Sequence, residues 1–388
     1  MKRAGIILLA IVIVGGGIWF FLPQFRPSNG TPLQSQVIAA AASENVQGFA
    51  IADGSRPLRL PKDQGPHPDF QTEWWYYTGN LETGDGRHFG YQLTFFRRAL
   101  LPPDLVVKRP SDWGTNQVYM AHFALTDVAA DSYHAFERLS RGAAGLAGAQ
   151  SDPYRVWLED WRVSQVSTNT YKLQAKQDEW TLDLTLRDVK GFILQGEHGF
   201  SRKGPAAGQA SYYYSQTRLQ TDGTISSNGS DYQVNGSSWM DHEFSTSALD
   251  KNQVGWDWFA LQLDDQSELM VYQLRRKDGS IDPFSSGSYI APDGSVHPLK
   301  RQDFRIQVES TWTSPQTKAR YPAHWRVQVP GEGLVLNIEP YIANQELNLS
   351  YAYWEGAVKF SGTHNGKSVS GSGYVELTGY ASSLGGKF

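Results

Sequence analysis

No cysteine occurs among the 388 residues of this chain. Disulfides, thiolate nucleophiles, thiolate metal sites and a lipidated N-terminal cysteine are therefore excluded. Charge is scarce too: Asp, Glu, Lys and Arg make up 19% of the sequence, with a formal net charge of -4. Such a chain offers no broad basic surface to neutralise phosphates, so nucleic acid is not an expected partner. Several catalytic signatures are missing as well. The chain has no G-x-S-x-G elbow, HGGG-type oxyanion segment, Walker loop or dinucleotide fingerprint. The missing elbow weighs against serine hydrolysis without closing it, because convergent triads keep no fixed sequence pattern. No cofactor is expected.

What is present favours strands. Aromatic residues make up 13% of the chain, and there are 38 glycines. After residue 60, alternating segments such as HFGYQLTFF and WTLDLTLRDV are separated by DG, NG and GEG turns. That is the punctuation of an antiparallel β protein. Only a short turn near Phe136–Arg141 hints at anything helical.

The N-terminus differs. Lys2 and Arg3 precede an uncharged apolar run of 19 residues, Ala4 to Leu22. At ~1.5 Å per residue this run nearly spans a ~30 Å hydrocarbon core. It is longer than a cleaved signal usually carries and ends in bulky residues, which favours an uncleaved anchor over a cleaved export signal. The basic end stays in the cytoplasm. The remainder is expected on the extracytoplasmic side of the envelope, or secreted if the segment is cleaved. The expected organisation is an anchor or signal over 1–22, a Pro/Ser/Gln/Ala-rich linker over 23–60, and two domains over 61–245 and 246–388.

An internal repeat supports two domains. Trp74-Trp75-Tyr76-Tyr77, followed by Tyr91-Gln92-Leu93 and Arg97-Arg98, matches Trp256-Asp257-Trp258-Phe259, Tyr272-Gln273-Leu274 and Arg275-Arg276. Each half closes on a second match, Val234–Asp241 with Val369–Glu376. That alignment sets Asp241 on Glu376, His242 on Leu377 and Glu243 on Thr378. The repeated acid is then a candidate architectural feature. His242 instead replaces an apolar residue on the opposite strand face, because strand side chains alternate.

The ordered motifs EWWYYTGNL, YQLTFFRR, AHFALTD, ERLSRGAAGLAG, SWMDHEF and GWDWFALQL resemble the AttH and carotenoid 1,2-hydratase-like family, also called hydroxyneurosporene synthase-like. The resemblance covers about residues 60–388. It implies an all-β fold of two tandem lipocalin-like (calycin) antiparallel β-barrels. It also implies association with lipids or isoprenoids and, in some relatives, with an ABC-type export system. Hydratase relatives carry an acid soon after the YQL-equivalent tyrosine. Here none follows Tyr272 until Asp278, a departure from that pattern.

Asp241 and His242 are the candidate catalytic pair, as acid and relay. A carboxyl buried among apolar groups tends to keep its proton, and aromatic faces can stabilise a cation. Glu73, Trp75, Tyr77, Arg97, His122, Trp239, Trp258 and Tyr272 are candidate ligand-binding residues. Each also has a bland reading: core histidines, barrel-closing ion pairs and packed aromatics. A metal at Asp241-His242-Glu243 is not expected, since neighbouring strand residues face opposite ways, and the segment is no HExxH helix. The leading expectation is an envelope protein that binds or transfers a long apolar ligand. The alternatives are a hydratase or isomerase acting on a polyene or isoprenoid, and a transporter accessory subunit without pocket chemistry.

Overall fold

The computed structural model describes residues 47–107, 111–246 and 249–383. The expected anchor over 1–22 lies outside them. Among the described residues, no helix is long and apolar enough to cross a membrane.

The described residues form two curled antiparallel sheets. The first has 13 strands between Thr72 and Ser245, and the second has 10 between Gln253 and Leu377. In each sheet the first strand pairs with the last, Thr72–Glu82 with Ser230–Ser245 and Gln253–Leu263 with Lys367–Leu377. The two free edges of each sheet are consecutive strands, Ser132–Arg141 with Ala147–Ser151 and Val296–Lys300 with Arg305–Thr313. This arrangement curls each sheet around its own apolar cluster. One cluster is built on Trp75, Phe123, Trp161 and Leu184, the other on Phe259, Trp325, Leu336 and Trp354. Residues 132–141 form a strand and not a helical turn. Their side chains span the sheet opening: Arg138 pairs with Asp160 and lies 4.3 Å from the Trp161 ring centroid.

Part of the expected linker is not a tether. Phe49 and Ala52 are buried, and Ala52 packs with Phe70, Ala210, Tyr212 and Phe244. Apolar side chains spaced along this segment seat it against the first sheet.

Burial along the strands shows where the two sheets meet. Trp180–Asp188 alternates buried and half-buried residues, as expected of a strand with one face to solvent. Thr72–Glu82 and the end of Ser230–Ser245 are buried on both faces. One face meets the interior of the first sheet, and the other meets the second half. Gly90 sits at this junction: a Cβ there would lie 2.5 Å from the Ala357 Cβ. Across it, Asn80 donates to the Gly373 carbonyl at 2.9 Å, and Gln262 donates to the Thr217 and Ser238 carbonyls.

The duplicated motifs hold one register, with one exception. Tyr76 lies opposite Asp241, and Trp258 lies opposite Glu376. Arg97 lies opposite Glu73, and Arg275 opposite Gly255, so these arginines also correspond. The YQL triplets do not. Tyr272 lies opposite Trp258, the place that Thr94 takes opposite Tyr76, whereas Tyr91 lies opposite Gly79. The YQL similarity is displaced by three residues, a shift that also exchanges strand faces.

Candidate active site

Strand alternation divides the SWMDHEF segment between two environments. Met240, His242 and Phe244 turn toward the first half, and Trp239, Asp241 and Glu243 turn toward the second. Between the halves lies an apolar cleft of about 130 Å³. Trp74, Tyr76 and Phe96 line one side, and Trp256, Trp258 and Tyr272 line the other. Four carboxyl groups also reach its wall, from Asp241, Glu243, Glu355 and Glu376.

Asp241 is buried and accepts hydrogen bonds from the Trp239 indole at 2.8 Å, the Tyr213 hydroxyl at 2.8 Å and the Ser215 hydroxyl. The Trp258 indole, from the second half, donates in turn to the Tyr213 oxygen at 3.3 Å. Burial pushes the Asp241 carboxyl up to about 7, and its three donors only partly offset that effect. Glu376 occupies the corresponding position of the second half. Among the described residues it accepts from one donor, the Trp256 indole at 3.0 Å, and burial followed by the charges of Asp241 and Glu243 pushes it up to about 7. Each acid thus takes an indole N–H from a tryptophan of its own half. Glu355 lies opposite Glu376 on the neighbouring strand, and neither of its oxygens has a hydrogen-bond partner among the described residues. Burial and then the Glu376 charge hold it well above the ordinary carboxyl range.

Lys203 is the cation of the cleft. Its ammonium lies 3.3 Å from Glu243 and 4.1 Å from the Tyr272 ring centroid. Burial works against its charge, but the Glu243 carboxylate prevails and holds its pKa above the ordinary value.

His242 belongs to the interior of the first sheet. Its Nε2 lies 2.8 Å from Glu73 Oε1, its Nδ1 lies 3.0 Å from the Tyr214 hydroxyl, and its ring stacks on Trp75. Glu73 also meets His67 Nδ1 at 2.7 Å and accepts from Arg97 Nε at 2.7 Å. Burial opposes the Glu73 charge, yet Arg97 and His67 hold it well below the ordinary range. His242 is lowered by burial, whereas His67 is raised by Glu73 against its burial. As an ionised acceptor, Glu73 fixes the tautomers: both rings donate to Oε1, and Tyr214 donates to His242 Nδ1.

His67, Glu73 and His242 place one donor atom each within 4.8 Å of one another, the spacing of a possible metal trio. Two ligands of a tetrahedral ion with ~2.0–2.1 Å bonds lie roughly 3.3 Å apart. The separations of 2.7 and 2.8 Å are instead those of hydrogen bonds, and the Arg97 guanidinium already supplies a cation. The donor set fits an ion-pair network better than a metal.

The sequence candidates therefore separate. Asp241, Trp258, Tyr272 and His122 line the cleft. Trp239, on the same strand face, donates to Asp241. Glu73, Trp75, Tyr77, Arg97 and His242 lie in the first interior, so Asp241 and His242 do not act on one volume. Sequence reasoning missed Trp74, Tyr76, Lys203, Tyr353 and Glu355. It passed over Glu376 as the architectural copy of Asp241. The usable signal was strand parity: Glu243, two positions from Asp241, and the cross-strand partners Tyr76 of Asp241 and Trp74 of Glu243 share one face.

An AttH-like family model matches residues 51–380. AttH from Nitrosomonas europaea is 38% identical, and its crystal structure superposes with a TM-score of 0.76 over 86% of this chain and 99% of that one. Kievitone hydratase of Fusarium solani subsp. phaseoli is 23% identical over 210 residues, 52% of this chain and 58% of that protein. The aligned region thus spans a little over half the length of this curated relative. The kievitone hydratase structure from Nectria haematococca shares the fold at 14% identity, with a TM-score of 0.65 over 86% of this chain and 97% of that one. CghA with Sch210972 shares it at 13% identity, with a TM-score of 0.51 over 87% of this chain and 97% of that one. On the match across residues 51–380 and the likeness to AttH, the chain belongs to the AttH-like family.

Proposed function

We propose that the cleft adds water across a carbon–carbon double bond of a mostly apolar molecule, or forms such a bond by removing water from an alcohol. One observation carries this reading: each half turns one buried carboxyl, poised near 7, into an aromatic cleft. Acid–base catalysis works best with groups whose pKa lies near the working pH. Donor number assigns the roles. Asp241, with three donors, holds negative charge more readily, so Glu376 gives the proton and Asp241 receives one.

In hydration, the Glu376 proton passes to one alkene carbon, leaving a cation on the other. The faces of Trp74, Tyr76 and Trp258 are available to stabilise that charge. Water adds to the cation and releases its extra proton to Asp241. Glu376 ends ionised and Asp241 protonated, and proton exchange restores the starting state. Similarity to kievitone hydratase supports this reading over simple carriage of an apolar ligand.

The test uses the full chain with kievitone as the probe, followed by mass spectrometry for the gain of one water. Turnover lost in both Asp241→Asn and Glu376→Gln supports the proposal. Saturable kievitone binding without turnover favours the carrier reading, in which the cleft holds a lipid or isoprenoid for transfer. Turnover that survives both substitutions places the chemistry elsewhere.

A further inference from the structure

Apolar side chains crowd one exposed connection. Of the nine large apolar side chains exposed among the described residues, five belong to the segment joining His88–Ala99 to Gln117–Asp127: Leu101, Leu105, Val106, Val107 and Trp113. Leu105, Val107 and Trp113 are 61, 76 and 60% exposed. The base of the segment is held in place. Leu100 donates to the Asn116 carbonyl at 2.9 Å, and the Asn116 side chain bonds both the N–H and the carbonyl of Leu101. So many apolar groups gathered in water mark a surface that meets a partner.

Chain continuity points to a bilayer. Gly48, the second described residue, has a left-handed φ of +89°, and a Cβ there would meet Pro102 Cγ at 3.0 Å. The N-terminal segment therefore enters the fold against this connection. In the sequence, residues 23–46 separate Gln47 from the uncharged apolar run Ala4–Leu22. The direction of the cleft agrees. Trp74, Phe96 and Met120 form one cross-strand row of its lining and are half-buried. Tyr76, Thr94 and His122 form the next row and are buried, so the cleft closes inward from the Phe96 end. From Phe96 the same strand reaches Leu100, at the base of the connection, in about 13 Å.

We propose that Leu101, Leu105, Val106, Val107 and Trp113 dip into the surface of a phospholipid bilayer, the one that Ala4–Leu22 crosses, with the open end of the cleft turned toward the lipid. Tryptophan suits the headgroup boundary, and leucine and valine suit its acyl side. Asp104 and Asp112 are exposed on the same segment, so the contact rests on apolar burial and not on attraction to anionic lipid. An apolar guest then passes between bilayer and cleft without crossing bulk water. The inference does not depend on what the cleft does to that guest.

The absence of cysteine lets a single introduced thiol carry a nitrobenzoxadiazole probe. The full chain is reconstituted in phosphatidylcholine vesicles containing nitroxide-labelled lipid, with the probe at Val107→Cys or at Gly84→Cys. Gly84 lies in the turn at the other end of the His88–Ala99 strand, and a Cβ there meets nothing within 4 Å. The two sites stand roughly 40 Å apart along the strand direction. The Val107 probe should shift to the blue and be quenched, more by shallow nitroxides than by deep ones, because such contacts sink only ~5–10 Å. The Gly84 probe should behave as in water. Leu105→Asp in the Val107-labelled chain should cut the quenching about threefold or more, since it sets a charge where the bilayer is apolar. Equal quenching at the two sites, or quenching that ignores Leu105→Asp, would overturn the proposal. A Val107 probe shielded in native envelope membranes but not in protein-free vesicles would mean that a protein covers the segment, and the bilayer contact would fall.

Discussion

Asp241 and His242 are adjacent in sequence and separated by the strand that carries them. Asp241 Oδ1 takes the Trp239 indole at 2.8 Å on the cleft side, while His242 Nε2 lies 2.8 Å from Glu73 inside the first sheet. Substitutions at the two positions should therefore have different consequences.

Asp241→Asn keeps the shape of the side chain but cannot take a proton from water. Turnover of a hydratable probe should fall about 10²-fold or more. Kievitone affinity, measured by quenching of the cleft tryptophans, should change far less. An equal loss of affinity and turnover would point to a purely structural aspartate.

His242→Leu installs the residue that the second half carries at Leu377. Glu73 keeps Arg97 and His67, but the Tyr214 hydroxyl loses its acceptor. Urea unfolding should show a loss of about 1–3 kcal/mol, with turnover per folded molecule unchanged. A selective fall in kcat would return His242 to the chemistry.

The pH dependence of stability separates Glu376 from an ordinary surface acid. In the unfolded chain it ionises near its usual value, whereas in the folded chain it holds its proton to about 7. Between those values the unfolded state binds fewer protons, so stability falls as pH rises, and the full penalty is present above 7. Glu376→Gln should raise the melting temperature in mildly alkaline buffer, by an amount corresponding to about 3 kcal/mol. It should have little effect in acid below the usual glutamate range. A gain of the same size at both pH values would contradict this assignment.

Gly90→Val tests the junction. Its new Cβ would meet the Ala357 Cβ at 2.5 Å, so the halves must separate locally. A cost of about 1–3 kcal/mol is expected, together with weaker kievitone binding. Unchanged binding would mean that this contact does not set the shape of the cleft.

Much of the fold was legible because local signals agreed. Alternation in WTLDLTLRDV fixes strand faces, and the repeated aromatic strands match in structural register at Tyr76 and Trp258. The site was legible only in part. Asp241 carries a strong chemical signal, but the companions of a strand residue come from distant segments. Nothing local to Tyr353 says that His122 lies 2.7 Å away, 231 residues earlier. Trp75 and Tyr77 turn into the first interior, whereas Trp74 and Tyr76, on the other face of the same strand, line the cleft. A strand buried on both faces hides which side meets the interior and which meets a neighbour. The YQL match misled for a related reason: a displacement of three residues preserves the letters and reverses the faces.

The position of the cleft bears on which molecules it can admit. Within each sheet the side of the interior formed by paired strands is tied to the strand ladder, so moving those strands apart means breaking or re-registering hydrogen bonds along many residues. A cleft between two sheets has no ladder across it. Its walls are held at a joint by the Gly90–Ala357 contact, by hydrogen bonds such as Asn80 to Gly373, and by the ion pairs of Glu268 with Lys190 and Arg218. A few substitutions at that joint can tilt one wall against the other while both ladders stay whole. Fit to a longer or bulkier guest is thus governed by the joint, at a cost felt there and not along the ladders.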